Sequence, residues 1–281
     1  MIGTSHSIVL RTILAGVMLL AAVASITPLR AHEFWIDPET WHLEQGETLR
    51  VALRVGTGFN GSQQMFFPAR ISRFDLVGPQ QTLAFKGRLG DRPAGRITPE
   101  ETGLHIISHA TTFTALRYTD FEKFAAFTRE KGLGDAVSRH RARQLPESDF
   151  VERYRRFAKS LIAVGSAEGQ DRVLGMEVEI TALANPFALT GDTMPLRLDR
   201  DGAPWPGVLV TVFARPLGSR PDATVVSTYR ADAAGRVVIL TRPGHAYLVD
   251  AVSLEEAAAS GNPEGAVWSS RWASLSFATP R

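Results

Sequence analysis

The residues best suited to chemistry in this sequence are its histidines. The chain has no cysteine, so a transition-metal site would need imidazole, carboxylate, methionine or a terminal amine as ligands. Six histidines follow residue 31: His32, His42, His105, His109, His140 and His245. The sequence lacks the GxSxG, HExxH, Walker and GxGxxG motifs. We therefore expect a non-enzymatic protein whose metal chemistry, if any, depends on histidines that the fold brings together.

The first 31 residues have the layout of a secretory signal peptide. Met1–Arg11 is polar with one positive charge, Thr12–Ile26 is apolar, and Thr27–Ala31 contains a proline and ends in a small residue. The apolar run has 15 residues, whereas a retained membrane anchor, the alternative, needs about 20. We expect cleavage between Ala31 and His32, a periplasmic location and no membrane span in the processed chain.

Cleavage at that point would make His32 the first residue. Its α-amino group and ring Nδ1 could then chelate one ion together, once the amine has lost its proton. Glu33 and Asp37 offer oxygen ligands nearby, and Phe34 and Trp35 would anchor the new terminus against the core. The alternative is that His32 merely follows the cleavage site.

Three other histidines could complete such a site. His105 and His109 are four residues apart in or beside a predicted strand, Gly103–Ser108, where four residues span about 13 Å. They are therefore too far apart to share one ion, but either could face His32 from a neighbouring strand. His245 opens a later strand after a Pro-Gly turn. The candidate metal ligands are thus His32, His105, His109 and His245, and the candidate ion is nickel, cobalt or copper.

Most of the chain predicts short β-strands separated by turns. Leu49–Val55 alternates apolar and polar residues, as a half-buried strand does. The other predicted strands are Ile71–Val77, Thr82–Lys86, Met176–Ile180, Met194–Leu198, Val208–Phe213, Val225–Arg230, Val237–Leu240, Ala246–Val252 and Trp272–Phe277. Such spacing is typical of β-sandwiches. We expect a mainly β protein with an N-terminal sandwich domain (32–117), a helical insertion (118–164), a linker (165–173) and a C-terminal sandwich domain (174–281).

The insertion is predicted to hold two helices. Thr119 and Glu122 form a possible capping box before phenylalanines at helical spacing. A second helix is predicted over Asp149–Ile162. The arginines of this region, from Arg139 to Arg156, indicate a solvated basic surface or, alternatively, a site for an anion or an acidic partner.

The overall charge excludes some functions. Lys and Arg number 31 and Asp and Glu 29, but Arg11 and Arg30 lie in the predicted signal, and the other 250 residues carry no formal net charge. A neutral chain is not expected to bind nucleic acid in general.

Five segments together resemble a family of secreted bacterial proteins: AHEFWIDP, LRVALRVGTGFNG, TDFEKFAAFTREKGL, RYRRFAKSLIAVG and WSSRWASLSF. Members of that family, which carries no established function, are often labelled periplasmic components of cobalt/nickel uptake systems. Val208–Phe213 and Ala231–Leu240 also resemble transthyretin-like sandwich modules. Relatives often have a histidine after the strand that matches Leu248–Val252, where this chain has Ser253-Leu254-Glu255.

The resemblance implies a periplasmic metal-binding or uptake accessory protein whose partner is a membrane metal transporter or another envelope protein. A non-catalytic interaction module with incidental histidines is the alternative. A copper-dependent oxidase is a third, more remote reading.

Overall fold

The computed structural model describes residues 32–281, so the predicted signal and its cleavage site lie largely outside the described residues. Strands dominate and two short helices interrupt them. The strands are β1 (Glu33–Pro38), β2 (His42–Leu43), β3 (Leu49–Thr57), β4 (Asn60–Gln64), β5 (Ile71–Val77), β6 (Thr82–Ala84), β7 (Gly95–Ile97), β8 (Gly103–Thr111), β9 (Thr114–Tyr118), β10 (Phe150–Val164), β11 (Val178–Ala182), β12 (Thr193–Arg200), β13 (Ala203–Pro204), β14 (Leu209–Pro216), β15 (Val225–Arg230), β16 (Arg236–Leu240), β17 (His245–Glu256) and β18 (Trp268–Ala278). The helices are α1 (Phe121–Glu130) and α2 (Ala136–Ala142).

A ten-stranded sheet forms the centre of the molecule. Its strand order is β15-β14-β17-β18-β10-β8-β5-β6, with β2 and β9 also paired to β10. One four-stranded sheet, of β1, β3, β4 and β7, packs on one part of it, and a second, of β11, β12, β13 and β16, packs on another. The predicted mainly β, sandwich-like fold is therefore confirmed.

The central sheet contains strands from both sides of the predicted domain boundary. β10 lies before the predicted linker and pairs in parallel with β18, which lies after it. Each small sheet covers its own apolar core, one containing Ile36 and Leu53 and the other Met194 and Leu196. The division into domains at residues 117, 164 and 174 stays a prediction.

The predicted second helix is wrong, because residues 150–164 form the longest strand of the molecule. Most side chains of β10 are buried on both faces of the central sheet, so the strand shows no simple alternation of apolar and polar residues. Phe157 and Leu161 pack in one core, whereas Ala158 and Ile162 pack in the other.

The first predicted helix is confirmed as α1, with a different cap. The side chain of Asp120, rather than that of Thr119, accepts a hydrogen bond of 3.0 Å from the backbone N–H of Glu122. Phe121, Phe124 and Phe127 are buried against the sheet. Among residues 32–281, no helix is long and apolar enough to cross a membrane.

Candidate functional site

The candidate site is a cleft between α1, the start of β1 and one face of β10. One of its two adjoining cavities has a volume of about 450 Å³ and is lined by His32, which is exposed, and by side chains of α1 and of β3, β4, β9, β10 and β18. The second, of about 350 Å³, reaches His109. We call them the His32 cavity and the His109 cavity. Val55, Gln64, Tyr154 and Arg156 line both, so the two form one cleft.

β10 supplies three consecutive side chains of one face to the cleft. Glu152, Tyr154 and Arg156 are spaced by two residues, and alternate side chains of a strand lie on the same face. Their register is fixed because β10 pairs with β9 on one side and with β18 on the other. The strand thus places a carboxyl group, a phenol and a guanidinium along one wall.

Hydrogen bonds hold the wall around Glu152 rigid. The hydroxyl of Tyr118 donates to Glu152 Oε2 at 2.8 Å, and the hydroxyl of Ser270 donates to Glu152 Oε1. The indole N–H of Trp272 in turn donates to Ser270 Oγ at 3.0 Å. Burial raises the pKa of Glu152, an effect that the two hydroxyl donors oppose. Tyr118 and Trp272 are therefore oriented before any ligand arrives.

A buried charge cluster fixes the end of α1 over the cleft. Lys131 Nζ lies 2.7 Å from Glu33 Oε1 and 2.9 Å from Asp250 Oδ2, and all three side chains are at most 3% exposed. Burial, opposed by the charge of Lys131, raises the pKa of Glu33 to about 7. Glu33 Oε1 thus pairs with Lys131, while its buried Oε2 has no hydrogen-bond partner in the described structure.

His109 is the most unusual of the four predicted ligands. Its ring lies 5.0 Å from that of Phe34 and 5.2 Å from that of Phe74, measured between centroids. Both ring nitrogens are buried and have no hydrogen-bond partner in the described structure. Burial lowers the pKa of His109 to about 3, so the ring is neutral at physiological pH. A neutral imidazole with a free lone pair is suited to bind a metal ion or a donor group of a ligand.

The other two predicted ligands lie elsewhere. His105 Nδ1 donates to the carbonyl of Gly103 at 3.1 Å, and His245 Nδ1 donates to the carbonyl of Pro243 at 2.9 Å. Neither residue lines the cleft, whereas His32 and His109 both do. Within residues 32–281, no three His, Cys, Asp or Glu side chains are grouped closely enough to hold a metal ion.

In the sequence, Arg156 belongs to the basic stretch for which an anion site is one alternative, whereas nothing indicates Glu152, because residues 149–162 are predicted to form a helix. The signal was present in the alternation of Glu152, Tyr154 and Arg156, which places all three on one face of a strand.

Comparison with known families gives one match. Residues 29–255 match the model of a family described as a domain of unknown function, DUF4198. No curated protein matches the chain.

Solved structures give only distant likenesses. A Salmonella alpha-2-macroglobulin mutant is 13% identical over 89% of this chain, with a TM-score of 0.24, and the chain spans 15% of its length. A DUF4785 family protein from Legionella pneumophila is 10% identical over 77% of this chain and 50% of its own, with a TM-score of 0.22. A DUF3823 family protein from Bacteroides uniformis is 9% identical over 89% of this chain and 100% of its own, with a TM-score of 0.21. TM-scores this low carry no inference about function.

Proposed function

Since the chain belongs to the DUF4198 family, a domain of unknown function, we propose its role from the cleft: it is a periplasmic accessory protein that binds a divalent transition-metal ion, nickel, cobalt or copper, through His32. The ligands are the α-amino group freed by signal cleavage and the imidazole of the same residue. His109 is the candidate second imidazole. Delivery of the ion to a membrane metal transporter is the corresponding cellular role.

The observation that supports this proposal most strongly is that the imidazole of His109 is buried without a hydrogen-bond partner in the described structure. A buried imidazole without any hydrogen-bond partner leaves two polar atoms unsatisfied, which destabilises the folded protein. Such a group is expected where a ligand supplies the missing contact. His109 lines the cavity that adjoins the one lined by His32, and Phe34, two residues after His32, packs on its ring.

The donor atoms of His32 favour ions that prefer nitrogen ligands. Arg156 Nη2 donates to the backbone carbonyl of His32 at 3.4 Å, and this positive charge weakens the binding of any cation, so the nitrogen donors must supply the affinity. Hard cations such as Ca²⁺ and Mg²⁺ need several anionic oxygens, which this end of the cleft does not provide. Neutral imidazole and amine donors instead suit nickel, copper and cobalt.

Metal titration of the processed protein tests the proposal. We expect Cu(II) or Ni(II) to bind protein that begins at His32, with an affinity that rises with pH because the α-amino group must lose its proton. Replacing His32 with alanine, or adding one glycine before His32 to remove its free amine, should weaken binding about 100-fold or more. Calorimetry on protein with a sequenced amino terminus measures both effects.

His245→Ala is the matched control, because His245 lies outside the cleft, and we expect it to leave the affinity unchanged. If the glycine-extended protein binds the metal as tightly as the native one, the terminal amine is not a ligand and the proposal fails.

A second candidate function, an interaction module, is favoured by the outer edge of the central sheet. β15 is the last strand of that sheet, and no described strand pairs with its outer side. Val225 and Val226 on β15 are 65% and 48% exposed. Val238 and Leu240 on β16, a strand of the small sheet that lies beside β15, are 56% and 66% exposed. An unprotected aliphatic edge of this kind is suited to pair with an extended strand of an envelope protein.

Site-specific photocrosslinking in the periplasm tests the second candidate. A photoreactive residue at Val226 should give one discrete crosslinked product, whereas the same residue at Val173, which is 48% exposed outside this edge, should give none. Equal crosslinking patterns at the two positions would exclude a partner at β15.

A further inference from the structure

Arg156, at the centre of the cleft, forms no ion pair with an acidic side chain of residues 32–281. The guanidinium of Arg156 lies 5.0 Å from the ring centroid of Tyr154, 5.8 Å from that of Phe34 and 6.0 Å from that of Trp272. Its one hydrogen bond is the 3.4 Å contact with the carbonyl of His32, and its buried Nε has no partner in the described structure. A guanidinium has five N–H donors, so most of its hydrogen-bonding capacity is unused.

The two neighbouring arginines on the same strand each have a polar partner in the described structure. Arg155 forms an ion pair with Glu177, and Arg153 donates to the carbonyl of Gly261 at 2.7 Å. Both lie on the opposite face of β10 from Arg156. Arg153 also has a buried Nε without a partner in the described structure, but of these three arginines it is Arg156 that lines the cleft.

Burial lowers the pKa of Arg156, and three acidic groups lie near enough for their charges to oppose that shift. None of them forms an ion pair with Arg156, and Glu33 Oε2 has no hydrogen-bond partner in the described structure. Glu33 and Asp250 share the ammonium of Lys131, and Glu152 accepts hydrogen bonds from Tyr118 and Ser270. Since no carboxylate of the described chain pairs with it, the guanidinium is available to a ligand that brings its own negative charge.

The aromatic walls of the His32 cavity indicate that such a ligand also has a flat apolar part. Tyr118, Phe127, Tyr154 and Trp272 line this volume of about 450 Å³, which is within the range of small-molecule sites. Aromatic walls disfavour a strongly hydrated inorganic anion, which loses its water shell on entry. They favour a flat apolar body that packs against the rings. Arginine recognises a carboxylate with two parallel hydrogen bonds.

We propose that the cleft binds a small organic carboxylate with an aromatic body, whose carboxylate is held by the guanidinium of Arg156 and whose ring packs among Tyr118, Phe127, Tyr154 and Trp272. Lys123 at the cavity wall adds positive charge at the entrance. This site requires no metal ion and stands independently of the proposed function of His32.

Binding of simple aromatic acids to metal-free protein tests the inference. Metal is removed with a chelating resin, because a soluble chelator such as EDTA is itself a carboxylate. The probes are phenylacetate, benzoate and indole-3-acetate at millimolar concentrations, with phenylacetamide as the uncharged counterpart of phenylacetate. Calorimetry reports binding. We expect phenylacetate to bind at least about tenfold more tightly than phenylacetamide, because the amide cannot form the charged pair.

Substitutions then locate the site. Arg156→Gln should weaken phenylacetate binding about 10- to 100-fold, as expected for loss of a hydrogen bond to a charged group. Arg156→Lys keeps the positive charge but loses the planar guanidinium. Its affinity for phenylacetate should therefore lie between those of the wild type and Arg156→Gln. Arg200→Gln, at an exposed position on β12, is the matched control and should have no effect. Thermal unfolding of each variant establishes that the fold is kept.

Three outcomes would overturn the inference: no binding of any of the three acids to the wild-type protein, equal binding of phenylacetate and phenylacetamide, or an unchanged affinity in folded Arg156→Gln. Inorganic phosphate binding as tightly as phenylacetate would show that the aromatic walls do not select the ligand, and would also contradict it.

Discussion

Replacing His109 with leucine should make the folded protein markedly less sensitive to acid. We expect the wild-type free energy of unfolding to fall by about 3 kcal/mol more than that of His109→Leu when the pH is lowered from about 7.5 to about 4.5. Chemical denaturation of both proteins at the two pH values measures this difference.

The sign follows from burial of the imidazole. In the unfolded chain His109 takes up a proton below about pH 6.5, whereas in the folded protein its pKa is lowered to about 3 because the ring is desolvated. Between these values the unfolded state binds more protons, so the stability of the folded state falls as the pH decreases. Leucine fills a similar space beside Phe34 and Phe74 and cannot titrate.

Ile107→Leu is the control for this prediction, because it changes a buried side chain of the same strand without removing a titratable group, and it should leave the acid dependence unchanged. Near pH 7.5 we expect His109→Leu to be about as stable as the wild type, since it also removes two unsatisfied buried nitrogens. An acid dependence identical to that of the wild type would show that His109 is hydrated or protonated in the folded protein.

Replacing Lys131 with methionine should destabilise the protein by about 3–5 kcal/mol, the usual cost of removing one partner of a buried ion pair. Glu33 and Asp250 would then be buried together without the ammonium that now lies within 2.9 Å of each. The wild-type pKa of Glu33 is already raised to about 7, so its ionisation destabilises the folded state as the pH rises from about 4.5 to 7. The defect of Lys131→Met should therefore be larger at pH 8 than at pH 5.

The triple variant Lys131→Met, Glu33→Gln, Asp250→Asn separates charge from packing. Neutral amides leave no uncompensated buried charge, so we expect the triple variant to regain much of the stability lost in the single variant, as measured by urea denaturation. Equal instability of the single and triple variants would mean that the methionine disturbs the packing of α1 and that the charges contribute little.

Local patterns in the sequence were enough to predict most of the strands. The predicted strands Ile71–Val77 and Val225–Arg230 coincide with β5 and β15. The predicted Leu49–Val55 is extended by two residues in β3. These strands have one covered and one open face, or short apolar runs bounded by turns, which are the patterns that local reasoning detects.

β10 could not be predicted in this way because its environment is set by distant parts of the chain. Lys159 is fully buried in the strand, with Nζ 2.7 Å from Asp171 Oδ1 and 3.1 Å from Glu179 Oε1. In the sequence alone, a lysine at this position indicates a solvated face. Only tertiary contacts make the charge of Lys159 compatible with a central strand. The spacing of Tyr154, Phe157 and Leu161 is also close to that of a helix, so the local sequence favours a helix over a strand.

The candidate site was predictable only in part, for the same reason. The histidines and the predicted signal indicate His32, His105, His109 and His245 as candidate ligands, and of these His32 and His109 lie at the cleft. The role of Arg156 depends on its missing acidic partner and on three aromatic rings from β1, β10 and β18, which no local spacing reveals.

The most direct test of the proposed function is a crystal structure of the processed protein with copper bound, with data collected on both sides of the copper absorption edge. We expect one strong anomalous peak within about 2 Å of the terminal nitrogen and the ring of His32, inside the cleft. A peak at His105 or His245 instead, or none in protein shown by sequencing to begin at His32, would contradict the proposed function.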